Sequence, residues 1–194
     1  NHIINALYPA GCWVEFTHCS NSLPPLEFSD CIFTNCLGDN SAIFKLANLN
    51  SKLTFKNITF EKSKNTFVNS AGYFINIGTY NNHQPHVTFD NCKFSYMESN
   101  AHGGGSIGLW LRGSSESIYM NLTFVNTTFE HLQFQNAATD RNPQGGGAIS
   151  SNKLVSNNNF DLYVIGCTFN NVSSLISGGA IQFSNKNRRK TILF

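Results

Sequence analysis

The sequence predicts an all-β fold, a single-stranded right-handed parallel β-helix of about five to six coils with about three short strands per coil. Three observations support this prediction. A first motif is repeated with variable spacing, a second motif, which begins with glycine in four of its five copies, follows each copy of the first, and the composition is rich in Phe, Asn and Ser. The chain has 17 Phe, and only 12% of its residues are charged. Few windows show the apolar spacing of a helix, so helices are not expected.

The first motif reads apolar, x, apolar, x, turn residue, small or apolar, x, Phe, and it occurs five times. Its copies begin at Leu26, Leu53, Val87, Leu122 and Leu162, and Ile192-Leu-Phe194 begins a sixth. The steps between the second apolar positions are 27, 34, 35, 40 and 30 residues. A fixed motif with such variable spacing favours stacked strands whose connecting loops bulge outward.

The parity of the motif predicts a corner. Leu53 and Phe55 share one face, and Ile58 and Phe60 share one face, but the two pairs are out of register by one residue. The chain must therefore turn between them, at Asn57, a residue type that tolerates positive φ. The equivalent corner positions are Asp30, Asn91, Asn126 and Gly166. Both strands then point Phe side chains inward, as a predicted core ladder of Phe28, Phe33, Phe55, Phe60, Phe89, Phe94, Phe124, Phe129 and Phe169.

The second motif supplies the third strand of each coil. Its glycines permit a tight bend into that strand. The copies are Ser41-Ala-Ile-Phe44, Gly72-Tyr-Phe-Ile75, Gly104-Gly-Ser-Ile107, Gly146-Gly-Ala-Ile149 and Gly178-Gly-Ala-Ile181. Coils of this kind stack about 4.8 Å apart, the spacing of paired strands.

The N-terminal segment fits the period poorly. Val14-Glu-Phe16 resembles the start of a motif, but Phe16 lies only 12 residues before Phe28, too few for a full coil. Residues 1–25 are therefore predicted to be a partial coil or cap, and residues 26–194 the β-helix. Because the last motif is unfinished and no polar cap follows it, we expect a fragment of a longer solenoid, or alternatively ends that pair with other chains in a fibre.

Charge and hydropathy exclude several functions. The formal net charge is +2, too small to predict a nucleic-acid partner, and no apolar run is long enough to predict membrane insertion. No Cys-x-x-Cys pair or His spacing indicates a metal site, and no phosphate loop occurs, so no metal or cofactor is expected.

Four sequons predict N-linked glycans, at Asn121, Asn126, Asn57 and Asn171. Asn121 is the strongest candidate, because it faces outward if Leu122 faces inward. Asn57 and Asn126 occupy the corner, where their side chains could instead bond in a stacked ladder that hides them. The sequons favour a secreted glycoprotein, extracellular or on the cell surface.

The six Cys residues divide into two sets. Cys31, Cys92 and Cys167 share one inward motif position in alternate coils, about 9.6 Å apart at the coil spacing above, too far for a disulfide. They are predicted to be buried thiols. Cys12, Cys19 and Cys36 crowd the N-terminal end and could form one disulfide.

The alternative function is a carbohydrate-active enzyme, a polysaccharide lyase or glycoside hydrolase, since such enzymes use paired carboxylates. Glu61 and Glu130 each follow the last Phe of a motif, in the second and fourth coils, with Ser95 at the same position between them. They would lie about 10 Å apart, near the long end of inverting geometry. Two exposed carboxylates that only aid solubility are the simpler interpretation.

Gly146-Gly-Ala-Ile149 and Gly178-Gly-Ala-Ile181, paired with the Phe-x-Asn segments, resemble the repeat of the polymorphic outer membrane protein family of bacterial surface adhesins. Similar repeats occur in large protist surface proteins. The Phe half differs, since Phe and Asn are separated by one residue here and by two in the family. The resemblance implies an extracellular, non-catalytic surface role and does not identify a ligand. Together with the missing catalytic pattern, it favours a structural or adhesive protein, or a subunit of a filament. Trp110 has the opposite parity to Leu109 and Leu111, so it is a candidate outward contact for a carbohydrate or cell-surface ligand, with packing beneath a loop as the alternative.

Overall fold

The computed structural model describes residues 2–8, 14–16, 24–38, 44–47, 50–65, 71–80, 84–99, 102–112, 119–134, 147–152, 159–174, 179–182 and 189–193. These residues form 19 strands. The strands are β1 (His2–Tyr8), β2 (Val14–Phe16), β3 (Leu26–Ser29), β4 (Cys31–Gly38), β5 (Phe44–Ala47), β6 (Lys52–Lys56), β7 (Thr59–Glu61), β8 (Lys64–Asn65), β9 (Ala71–Tyr80), β10 (His86–Asp90), β11 (Lys93–Ser99), β12 (His102–Arg112), β13 (Tyr119–Val125), β14 (Thr128–Phe134), β15 (Ile149–Asn152), β16 (Asn159–Ile165), β17 (Thr168–Ser174), β18 (Ile181–Gln182) and β19 (Arg189–Leu193).

The strands form three parallel sheets. Sheet 1 has the order β1-β4-β7-β11-β14-β17, with the short β8 beside β4 and β11; sheet 2 is β19-β16-β13-β10-β6-β3, and sheet 3 is β18-β15-β12-β9-β5-β2. Each coil passes through sheet 2, then sheet 1, then sheet 3, so three faces enclose one interior. The predicted parallel β-helix with three strands per coil is confirmed. Within the described ranges, no helix has the length and apolar character needed to cross a bilayer.

The repeated motifs stack in register. In sheet 2, Phe55 pairs with Phe89, which pairs with Phe124. In sheet 3, the final residues of the second motif form one column: Phe44, Ile75, Ile107, Ile149 and Ile181. The motif is constant because any slip by one residue would turn each apolar side chain out of the interior.

The interior is filled by rings that stack from coil to coil. Phe89 lies between Phe55 and Phe124 with ring centroids 4.8 and 5.0 Å apart, and Phe94 is stacked 5.0 Å from Phe129. These distances match the separation of paired strands, about 4.8 Å, so the backbone ladder and the ring ladder share one repeat. Of the nine predicted ladder residues, seven are at most 3% exposed, and Phe28 and Phe169 are half-buried.

The five predicted corner residues all have positive φ, between 48° and 61°, and are named the corner column: Asp30, Asn57, Asn91, Asn126 and Gly166. The backbone N–H groups of the first four continue the hydrogen-bond ladder around the bend, as when Asn91 N donates to Val125 O at 2.9 Å. At Gly166 a Cβ would lie 2.6 Å from Asn126 Oδ1, so glycine suits both the conformation and the space.

The N-terminal strands belong to a coil that precedes β3. β1 pairs with β4 in sheet 1, and β2 pairs with β5 in sheet 3. The similarity of Val14-Glu-Phe16 to the start of the Phe motif is therefore misleading, because that motif begins in sheet 2, whereas Val14 and Phe16 pair with Phe44 and Leu46. Alternating apolar residues look the same in either sheet.

Candidate functional site

A second column of positive φ lies on sheet 1, five residues after the corner column. Its members have φ between 50° and 53° and are named the outer column: Asn35, Lys62, Tyr96, His131 and Asn171. The repeat motif did not predict this bend. Asn35, His131 and Asn171 are residue types enriched in the left-handed region, but Lys62 and Tyr96 are not, so the column has no consistent residue signal.

The second bend turns one side chain per coil outward. The pairing of β11 with β14 matches Ser95 with Glu130 and resumes at Met97 with Leu132, so Tyr96 and His131 bend together. Tyr96 is 53% exposed, whereas Met97 beside it is fully buried. A residue other than Gly or Asn pays about 1–3 kcal/mol of strain to adopt this backbone conformation. The three middle coils therefore carry strained, outward side chains.

An aromatic stack occupies the centre of the outer column. The rings of Tyr96 and His131 have centroids 4.7 Å apart and are inclined by 12°. Asn171 Nδ2 lies 3.0 Å from His131 Nδ1, and it donates to that nitrogen when the ring proton is on Nε2. The imidazole is thus held between a phenol ring and an amide.

The two predicted carboxylates lie in one row of sheet 1, named the carboxylate row, which pairs Thr34, Glu61, Ser95, Glu130 and Asn170. Ser95 separates Glu61 from Glu130 as expected. Two coil steps correspond to about 9.6 Å, near the long end of the separation found in inverting glycosidases. The strand spacing thus places the two residues slightly beyond the upper end of the inverting range, which is about 6.5–9.5 Å between carboxyl groups.

Both carboxylates are held by neighbouring groups. Glu130 accepts from Lys93 Nζ at 2.7 Å, and the pKa of Lys93 is raised chiefly by that hydrogen bond. Glu61 accepts from Thr34 Oγ1 at 3.3 Å and lies 3.5 Å from Lys62 Nζ. The Ser95 hydroxyl is buried, with no hydrogen-bond partner in the part of the chain described. Contacts of this kind are common where ion pairs and hydrogen bonds between neighbouring strands serve only to stabilise a sheet surface.

A second polar cluster lies on sheet 2. Tyr119 Oη donates to Asp161 Oδ2 at 2.5 Å, and this contact raises the pKa of Tyr119. Asp161 is 8% exposed, and its Oδ1 has no hydrogen-bond partner among the described residues. The His86 ring lies 5.9 Å from that of Tyr119, and burial, followed by Lys52, lowers the pKa of His86. This cluster was not predicted, because its members come from three coils.

The four sequon asparagines all have outward positions. Asn57, Asn126 and Asn171 are exposed, and Asn121 is half-buried on the outer face of sheet 2, where its Oδ1 accepts from Thr123 Oγ1 at 2.9 Å. Asn57 Nδ2 donates to Asp30 Oδ1 at 3.2 Å, and Asn91 Nδ2 to Asn57 Oδ1 at 2.8 Å. The corner side chains therefore do bond to one another, but the ladder remains exposed.

The thiols line the inner side of the corner. Cys31, Cys92 and Cys167 are unbridged, and the Cys92 thiol donates to Phe55 O at 3.3 Å. Cys36, one of the three candidates for a single disulfide, is a buried thiol, 3% exposed, with Sγ 3.8 Å from Thr34 O. The pair that the other two candidates could form stays a prediction. The bend at Asn35, which has a φ of 53°, shifts the alternation of β4, so that Asn35 is exposed and Cys36 faces the interior. Cys12 and Cys19 lie outside the described residues.

Within the described ranges, no group of three or more His, Cys, Asp or Glu side chains could hold a metal ion. The side chain of Trp110 lies outside what the structure describes. No family model matches the chain, and searches of curated proteins and of solved structures find no match either. The resemblance to the polymorphic outer membrane protein repeat stays a prediction.

Proposed function

We propose that this chain is a non-enzymatic extracellular β-helix glycoprotein with a structural or adhesive role, as part of a surface protein or as a subunit of an extracellular fibre. The observation that carries the proposal is the outward position of all four sequon asparagines, at the corner column, the outer column and the outer face of sheet 2.

A glycan needs an amide nitrogen with a free hydrogen on an accessible face. Asn57 uses one Nδ2 hydrogen toward Asp30, and the second remains for a glycosidic bond. Asn126 and Asn171 are exposed at positions where the backbone bends outward. The interior, by contrast, is filled with apolar side chains and has no room for attached sugars.

Glycopeptide mass spectrometry of the protein secreted from a eukaryotic host tests the proposal. We expect glycans on at least one of Asn57, Asn121, Asn126 and Asn171. Asn91 is a matched internal control, because it occupies the same exposed corner but is followed by Cys92-Lys93 and forms no sequon. Unmodified asparagine at all four sequons would remove the glycoprotein part of the proposal.

The carboxylate row keeps the carbohydrate-active enzyme as a second candidate, with Glu61 and Glu130 as acid and base. Incubation with a panel of polysaccharides, followed by detection of new reducing ends, distinguishes the two. We expect no cleavage. Activity that is lost in E130Q but retained in E98Q would favour the enzyme, since Glu98 is paired with Lys64 at 3.2 Å on the same sheet but outside the row.

The stalk and fibre forms of the proposal differ in assembly. Electron microscopy of the purified protein separates them, since a fibre subunit gives filaments whose length grows with concentration. A surface stalk or adhesive module gives rods of constant length.

A further inference from the structure

Tyr96 has a backbone conformation that its residue type disfavours. Its φ is 52°, in the region where Asn and Gly are the least costly residues. Asn35 and Asn171 occupy the same column at either end and show that the fold accepts asparagine there. The bend itself therefore does not require a tyrosine, and strain of this kind is concentrated at binding sites.

The Tyr96 ring is exposed although one of its faces is stacked on His131. His131 covers one side of the ring at a centroid distance of 4.7 Å, yet Tyr96 is 53% exposed, so its exposed surface lies on the edge and on the opposite side. The next position along the outer column, one coil away, belongs to Lys62, whose side chain is 60% exposed. A coil step of about 4.8 Å separates neighbouring column positions, which is also the separation of stacked rings.

We propose that the Tyr96–His131 stack is a binding platform for a neutral saccharide, whose pyranose ring packs on the open face of Tyr96 as the third ring of the stack. The slightly positive axial C–H groups of a sugar match the negative face of a phenol ring. This inference rests on the adhesive role proposed above and specifies its ligand.

The surrounding charges favour a neutral ligand. The platform is flanked by the pairs Lys93–Glu130 at 2.7 Å and Lys62–Glu61 at 3.5 Å. Each lysine on this part of sheet 1 faces a carboxylate, so the surface has no excess charge that would select an anion. Paired ammonium and carboxylate groups can still exchange hydrogen bonds with sugar hydroxyls.

A peptide strand is a poorer fit to this surface. Peptides often bind by adding to an unpaired sheet edge. β11, which carries Tyr96, is already paired with β14 on one side and with β7 and β8 on the other. Its backbone therefore offers no edge, and only side-chain recognition remains.

Saturation-transfer NMR with cellotriose, chitotriose, maltotriose and mannotriose as probes tests the proposal. We expect at least one of the four to receive saturation and to bind at least tenfold more weakly to Y96N. The melting temperature of Y96N should not fall, because asparagine suits the conformation. Y96F, which keeps the ring, should bind within a few-fold of the original protein.

Ile165 provides a matched control. It is the other large apolar side chain that is exposed in the described part of the chain, at 44%, and it lies on sheet 2. I165T should leave saccharide binding unchanged. Saturation of none of the four probes, or equal binding by Y96N, would overturn the platform. Glycans at the sequons would still support the proposed function in that case, so the two failures are distinguishable.

Discussion

Replacing Asn91 with valine removes the two contributions that define the corner. Asn91 has a φ of 52°, and its Nδ2 donates to Asn57 Oδ1 at 2.8 Å. Valine cannot form that hydrogen bond, and its β-branched side chain is disfavoured at positive φ. N91V is therefore expected to unfold more readily than the original chain.

The two contributions can be estimated separately. An exposed side-chain hydrogen bond contributes about 0.5–1 kcal/mol, and left-handed strain for a non-glycine residue costs about 1–3 kcal/mol. N91V should thus lower the free energy of unfolding by about 1.5–4 kcal/mol. N91G also loses the hydrogen bond, and glycine raises the entropy of the unfolded chain, but glycine adopts positive φ freely. The free energy of unfolding of N91G should therefore be about 1 kcal/mol lower than that of the original chain.

Urea denaturation followed by circular dichroism measures both variants against the original chain, with the slope of the transition held in common. T88V is the control, because Thr88 lies at an outward strand position of the same coil and valine suits a strand. If N91V were as stable as N91G, the positive φ at the corner would not contribute to the stability, and the reasoning would be refuted.

Three further predictions follow from the core and from the titratable groups. F89A should cost about 3–5 kcal/mol, because its fully buried ring is stacked on both sides, and F169A should cost less, because that ring is half-buried. Burial lowers the pKa of His86 below its usual 6.5, so the unfolded chain binds more protons; stability should fall as pH drops from about 6.5 toward the folded-state value. Burial raises the pKa of Cys92 to about 11, so at pH 8 iodoacetamide should alkylate it at least about 100-fold more slowly than an unfolded thiol, and Cys167, which is less buried, faster than Cys92.

Each of these predictions has its own check. Chemical denaturation ranks the two phenylalanine variants, and equal losses would contradict the burial argument. For the histidine, the melting temperature of H86Q should decline less below pH 6.5 than that of the original chain. An unchanged decline would show that titratable groups other than His86 cause it. Peptide mass spectrometry after timed alkylation gives the rates of both thiols, and faster labelling of Cys92 would show that its environment opens readily.

Much of the fold was predictable because the repeat encodes it locally. Parity around Asn57 is enough to require a turn, since apolar side chains on both flanking strands must reach one interior. The same parity gave the inward positions of Phe55 and Phe60. The second bend at Tyr96 was not predictable in this way, because lysine and tyrosine, which occupy two of its five positions, carry no signal for positive φ.

The candidate site depended on contacts between coils. The position of Ser95 between Glu61 and Glu130 followed from counting residues within the motif. The partners of those carboxylates did not, since Lys93 and Thr34 reach them from neighbouring coils. The stack of Tyr96 on His131 joins residues 35 positions apart, and only the register of β11 with β14 brings the rings together.

The sequence by itself determined the parallel β-helix, its three strands per coil and the corner at Asp30, Asn57, Asn91, Asn126 and Gly166. It could do so because strand parity and turn chemistry act over a few residues. Tertiary structure alone decided that Cys36 faces the interior, that Val14–Phe16 belongs to sheet 3, and that an aromatic stack lies on the outer face of sheet 1. Those outcomes depend on which coils become neighbours and at what register, and loops of variable length hide that information from the linear sequence.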